Sequence, residues 1–388
     1  MKKIFAKIHL WLSLPLGIVL TVVCLSGAVL VFEGEITQAL HPELYRVAAP
    51  ADARPLQPLQ LVDRIGEQMP DSLHLVSLQL SARSDEPCMA AFRETGRKQL
   101  SVDPYTGNVN GWVESPAFFG TVRKLHRWLL DPPPSKGEKS VGKAIVGVST
   151  LGLVLILVSG LILWIPRSRK ALHNRLKVSC SNGRHRFWHD CHVSLGFYAI
   201  LLLLVMALTG LTWSFGWYRT AAYELFGGTQ QTVAAQEDLS WKVDSGNRQS
   251  RARSGERTAG REHGETETCP FDHAVWDDVL EQLTAHYTAY KTIVLTQAEA
   301  QVTRRSAMRR IDRATFDPRN GRLAEITRYE DTPRQQRLRG WFYTFHTGTW
   351  GGIWTKILYF LAALIGATLP LTGYYLWWKR YSNKKNRK

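Results

Sequence analysis

Four apolar stretches constrain this chain more than any other feature. They run over residues 10–32, 144–165, 193–215 and 357–378, and none contains a Lys, Arg, Asp or Glu. At about 1.5 Å of rise per residue, each is long enough to cross a hydrocarbon core of about 30 Å. Buried core helices of a soluble protein do not run this long without a charge. The sequence therefore predicts four transmembrane helices.

The net charge of +16 would suit a nucleic-acid binder, but its distribution argues against one. Lys2, Lys3 and Lys7 precede the first span. Arg167, Arg169, Lys170, Arg175, Lys177, Arg184 and Arg186 fill the connection between spans two and three, which has no acid over 167–186. Lys379, Arg380, Lys384, Lys385, Arg387 and Lys388 follow span four. If the spans alternate, all three clusters share one side, and the positive-inside rule makes that side cytoplasmic. Both termini are then cytoplasmic and the long connections 33–143 and 216–356 lie outside. The clusters are accounted for by topology and anionic lipid, so the bilayer is the expected partner and nucleic acid is not. The basic start of span one fits a signal peptide, but the stretch is long for one and no A-x-A site follows. We read it as a retained anchor.

The second feature is a repeat. His9 lies 18 positions before Gly27 in Ser26-Gly27, and His192 lies 18 before Gly210 in Thr209-Gly210. Spans two and four carry matching pairs, Ser159-Gly160 and Thr372-Gly373, each followed by an aromatic exit. Small residues here allow close helix approach, or room for a flat ring. The outside connections repeat too. Asp103-Pro104-Tyr105-Thr106-Gly107 and Asp317-Pro318-Arg319-Asn320-Gly321 read as turns closing hairpins. Strands are predicted at 73–80, 89–92 and 99–102 before the first turn, and at 293–295 and 307–311 before the second. Helices are predicted at 58–68 and 274–290. Each connection is thus a small α+β module, and the second carries a polar insertion at 236–268.

After each turn stands another histidine, His126 before span two and His346 before span four. Ionisable groups at membrane level are functional candidates by default, and imidazole is the usual axial ligand of haem iron. Two imidazoles from different helices of one bundle can face each other across an iron. The natural pairing is His9 with His192 and His126 with His346, giving one haem near each membrane face and an electron path across the bilayer. His189, three residues before His192, is the reserve ligand at the inner site. Arg123, Lys124 and Arg127 beside His126 could meet haem propionates or an anionic chelate. No C-x-x-C-H occurs, so the two haems would be non-covalent b-type groups. Cys88 and Cys269 lie in the outside modules and could be free or paired. No close His/Cys/acid cluster suggests zinc, and no nucleophile elbow, P-loop or dinucleotide fingerprint is present.

These residues together resemble a known family. Lys7-Ile8-His9-Leu10-Trp11, Asp103-Pro104-Tyr105-Thr106-Gly107, Leu125-His126-Arg127, Asp190-Cys191-His192 and His346-Thr347-Gly348 are similar to the PepSY-associated transmembrane proteins. The second turn departs from the pattern, with Asn320 in place of Thr. The resemblance implies an α-helical membrane protein of the bacterial inner membrane, with four transmembrane helices in two tandem halves plus two small α+β PepSY-like periplasmic modules. Its parts would be tail and span one (1–32), module one with a pre-span helix (33–143), span two (144–165), a basic loop into span three (166–192), span three (193–215), module two (216–356), span four (357–378) and a basic tail (379–388). The family includes ferric-siderophore reductases. That implies a haem-dependent reductase with His9 and His192 on the inner haem and His126 and His346 on the outer. Its partners would be a ferric siderophore or other ferric chelate, and a quinol or cytoplasmic reductase as donor. The alternative is a non-enzymatic, membrane-tethered binding or regulatory protein.

Overall fold

The computed structural model describes residues 2–50, 54–96, 98–134, 138, 140–166, 168–227, 271–306 and 310–385. The polar insertion 236–268, Cys269 and part of the expected strand 307–311 lie outside the described residues. Two compact units form, each assembled from both halves of the chain.

The first unit is helical. Its four long apolar segments are α1 (Lys2–Val31), α5 (Val141–Trp164), α8 (Gly196–Ser214) with α7 (Gly183–Asp190) stacked before it, and α12 (Gly352–Lys385). All four are long and apolar enough to cross a membrane. They extend past the apolar stretches because polar residues at the ends continue the same backbone hydrogen bonding. Ile18, Leu155, Leu201 and Leu358 stand exposed on their outer faces, an apolar exterior suited to lipid. Inside, Leu157, Ala199, Leu203 and Ala362 form a buried cluster. Small residues bring α1 and α12 close. A Cβ on Gly17 would fall 2.9 Å from Tyr374 Cζ, and the Tyr374 hydroxyl donates to the Leu14 carbonyl at 2.7 Å. Pro15 and Pro370 sit inside these two helices, as membrane helices tolerate when neighbours meet the freed carbonyls.

Shorter helices complete this unit. α4 (Ala117–Trp128) precedes α5, and α11 (Arg334–Thr347) precedes α12. α4 ends on two left-handed non-glycine residues, Leu129 (φ 49°) and Leu130 (φ 68°), whereas α11 ends on Gly348 (φ 70°). α6 (Arg169–Arg175) and α9 (Gly216–Leu225) are peripheral, and α2 (Glu33–Leu40) begins in this unit and runs on into the chain of the second. Between α7 and α8 the helix widens into a π-helical turn at Cys191–Leu195.

The second unit holds one eight-stranded antiparallel sheet in the order β4-β3-β2-β1-β5-β6-β7-β8. The strands are β1 (Leu75–Ser81), β2 (Cys88–Phe92), β3 (Gln99–Val102), β4 (Val109–Val113), β5 (Tyr290–Thr296), β6 (Glu299–Arg304), β7 (Ile311–Phe316) and β8 (Leu323–Thr327). Each module supplies a four-stranded meander, and the meanders join where β1 pairs with β5, with Leu78 opposite Leu295 and Leu80 opposite Ile293. The modules therefore share one sheet. They also share one core, in which α3 (Pro58–Gln68) buries Leu61 and Ile65 while α10 (Val275–His286) buries Trp276, Val279 and Leu283. The expected helix over 274–290 stops at His286 because Tyr290 is already in β5.

Candidate functional site

All four singled-out histidines belong to the helical unit, and they meet in the expected pairs. His9 faces His192 with ring centroids 6.3 Å apart and planes crossed at 87°. His126 faces His346 at 6.2 Å and 53°. Each pair takes one imidazole from either half of the chain. His189 does not face His9; its Nδ1–H donates to the Asp190 carboxylate at 3.2 Å and the ring is half exposed.

The small-residue pairs turn out to be imidazole seats, a role the sequence left open. His9 Nδ1–H donates to the Ile156 carbonyl at 3.1 Å and the Ser159 hydroxyl at 3.2 Å. His126 Nδ1–H donates to the Val23 carbonyl at 2.9 Å and the Ser26 hydroxyl at 3.2 Å. His346 Nδ1–H donates to the Met206 carbonyl at 2.9 Å and the Thr209 hydroxyl at 3.1 Å. His192 Nδ1–H donates to the Thr372 hydroxyl at 2.9 Å and bonds the Leu369 backbone. Every seat has one register: a carbonyl at position i, a hydroxyl at i+3 and glycine at i+4. At three of the four seats the glycine is needed for space, and at Gly373 a Cβ would make an ordinary contact. A Cβ there would lie 3.2 Å from His9 Cε1 at Gly160, 3.0 Å from His126 Cε1 at Gly27, 3.1 Å from His346 Cε1 at Gly210 and 3.7 Å from His192 Cε1 at Gly373.

This changes the meaning of the 18-residue spacing. His9 does not use the Ser26-Gly27 pair of its own helix; that pair seats His126, and His9 sits on α5. The 18 residues, about 27 Å of helix, therefore separate two different sites along one span. α8 repeats the arrangement, with His192 before it and the seat of His346 near its far end.

The seats also decide proton placement. A carbonyl oxygen only accepts, so the proton of each imidazole resides on Nδ1 and the lone pair on Nε2. That is the tautomer of a histidine ligating metal through Nε2, with the second nitrogen anchored as metal-bound histidines are. No group of three or more His, Cys, Asp or Glu suited to a bare metal ion occurs among the described residues.

Around His9 and His192 lies a cavity of about 720 Å³, within the ~300–1,000 Å³ of cofactor pockets. Trp164 and Phe197 form one wall, stacked at 3.6 Å and 5°. Near the outer pair, Trp213 meets His346 edge-on at 5.2 Å. Two of the three cations beside His126, Arg123 and Arg127, have protein contacts. Arg123 pairs with Glu33, and the Arg127 guanidinium lies 4.4 Å above the Trp128 ring. Among other histidines, His41 and His74 pair with Glu43 and Glu94. Cys88 is buried and free.

The fold and these paired histidines define a multi-pass membrane protein of two tandem halves. The family model described as the PepSY-associated TM region matches residues 6–380. The chain therefore belongs to the PepSY-associated transmembrane family. Among curated proteins, none matches it significantly.

Proposed function

We propose that this protein is a di-haem b oxidoreductase of the bacterial inner membrane, which passes electrons across the bilayer and reduces a ferric siderophore or other ferric chelate on the periplasmic side. The observation that carries the reading is the spacing of the imidazole pairs. A ring centroid lies about 1.1 Å from its nitrogen, and a nitrogen–metal bond is about 2.0 Å. Two imidazoles pointing at one metal from opposite sides would thus have centroids about 6.2 Å apart, against 6.3 and 6.2 Å here. The Nδ1-anchored tautomer, the glycines under each ring and the inner cavity fit the same group. Two protein ligands per site suit a macrocycle that provides the other four.

When bound, the haems supply one-electron redox centres, one toward each membrane face. The chain's own residues set ligand geometry. The Ser and Thr hydroxyls also donate to their own helix, Ser26 to the Val22 carbonyl at 2.7 Å and Thr209 to the Val205 carbonyl at 2.6 Å. Their lone pairs are thereby aimed at the imidazole. Reduction of the chelated iron(III) substrate by one electron, supplied by a quinol or a cytoplasmic reductase that is thereby oxidised, would give iron(II), which oxygen donors hold less tightly. The family resemblance supports the ferric-chelate substrate.

The test is a reduced-minus-oxidised visible spectrum of detergent-purified protein with a pyridine haemochrome count. Two b-type haems per chain are expected. Colourless protein from haem-sufficient cells would overturn the reading in favour of a membrane-tethered binding module.

A further inference from the structure

The inner cavity is chemically lopsided. Along α1 its lining runs from His9 to Cys24, about 22 Å of helix. The mid-membrane end is lined by Leu20, Cys24, Leu203 and Gly366, which offer no cation. The other end is lined by Trp164, Arg175, Arg186 and Arg380. A haem carries two propionates on one edge. Carboxylates at the apolar end would be buried without partners, at severe cost.

The three guanidiniums are not equivalent. Arg175 donates to the Leu163 carbonyl at 2.9 Å and to the Trp164 carbonyl, tying the end of α5. Arg186 is paired with the Asp190 carboxylate at 2.8 Å. Arg380 has no ion-pair partner among the described residues. Trp164 adds an indole Nε1–H that is buried without a hydrogen-bond partner, an arrangement that calls for an acceptor.

We propose that Arg380 and the Trp164 indole N–H bind the propionates of the inner haem, setting its carboxylate edge toward the basic end of the bundle and its apolar edge toward mid-membrane. The inference rests on the di-haem reading above. A charge-assisted guanidinium–carboxylate contact is the strong form of such recognition. It also holds a cation beside the haem, which favours the reduced, more negative state.

The experiment is a potentiometric titration of haem-loaded, full-length protein, with resonance Raman spectra of the propionate bending region, comparing wild type with Arg380→Gln and Trp164→Phe. Arg380 is surface-exposed, so its replacement is expected to leave the fold intact, checked by helical circular dichroism. The expected result is a downward shift of one midpoint potential in Arg380→Gln, the other unmoved, and a displaced propionate band in both variants, with two haems retained. Two bound haems with unmoved potentials and bands would overturn this inference alone. Wild-type protein without haem would overturn the di-haem reading and this inference with it.

Discussion

A Ser or Thr hydroxyl and a glycine, one residue apart, do different work for each imidazole. The hydroxyl orients it and the glycine leaves it room. Gly27→Ala places a methyl 3.0 Å from His126 Cε1, so one haem of two is expected to be lost or weakened while helical circular dichroism is unchanged. Ser26→Ala removes one of two acceptors for His126 but leaves the Val23 carbonyl. Loss of an outer-shell partner costs ~10–100-fold in metal affinity, and the remaining carbonyl places this variant near ~10-fold, measurable by haem transfer to apomyoglobin. His346→Ala is expected to remove the outer haem; full retention would refute its ligand role. At this scale the histidines were legible because they stand at repeat-related positions beside charge-free spans. The seats were only half legible. Their small-Gly pairs stand out in each span, but nothing in the chain says that a pair serves a histidine from another helix.

Elements show how the repeat is enforced. The C-terminal half of each sheet-unit helix presents a glutamine that clamps the Asp-Pro turn. Gln68 Nε2–H donates to the Gly107 carbonyl at 2.9 Å, and its Oε1 accepts from Val109 N–H at 3.0 Å. Gln282 does the same with the Gly321 carbonyl at 2.8 Å and Leu323 N–H at 3.2 Å. Truncating Gln282 to Ala strands both groups, so a loss of about 1–3 kcal/mol in sheet-unit stability is expected in urea unfolding. Asp312, buried in β7, accepts from Arg304 Nε at 2.7 Å, Tyr329 N–H at 2.7 Å and the Tyr287 hydroxyl at 2.9 Å. Burial raises its pKa, but those donors outweigh burial and hold it below the usual carboxylate range. Burial and the bond to Asp312 push the Tyr287 hydroxyl up to about 12. Because the folded carboxyl is depressed, its stabilisation is full above the ordinary value near ~4 and fades as pH falls through the lower folded value. Asp312→Asn is expected to destabilise the sheet unit at pH 7 and to flatten its pH dependence below about 4, read by melts across pH. Helix Pro58–Gln68 was fully legible, having Pro at its first position and a Gln57–Gln60 capping box. β6 was not, since Ala300 and Val302 are its only buried residues. The π-helical turn at His192 has no signature in the local sequence.

For the whole molecule, the distribution of charge predicts orientation. By the positive-inside rule, four crossings with basic clusters before the first, between the second and third, and after the fourth are expected to put both ends in the cytoplasm. A green fluorescent protein fused after Lys388 is expected to fluoresce and alkaline phosphatase at the same point to be inactive; the reverse pattern would invert the topology. The four spans were legible from length alone. The single sheet was not, because its central pairing joins residues as distant as Gln79 and Val294, and strand order across such separations is invisible to local pattern.

That seam between like strands has a further consequence. β1 and β5 are equivalent strands meeting antiparallel, and each facing histidine pair also takes equivalent members from the two halves. Such contacts are isologous, the kind that two identical subunits make about a dyad. Neither half holds a complete site or a complete sheet. The polypeptide link makes what would be a dimerisation into an intramolecular closure at high effective concentration. Assembly is thereby independent of how dilute the protein is in its membrane, and the two halves are free to diverge in sequence without losing their partner.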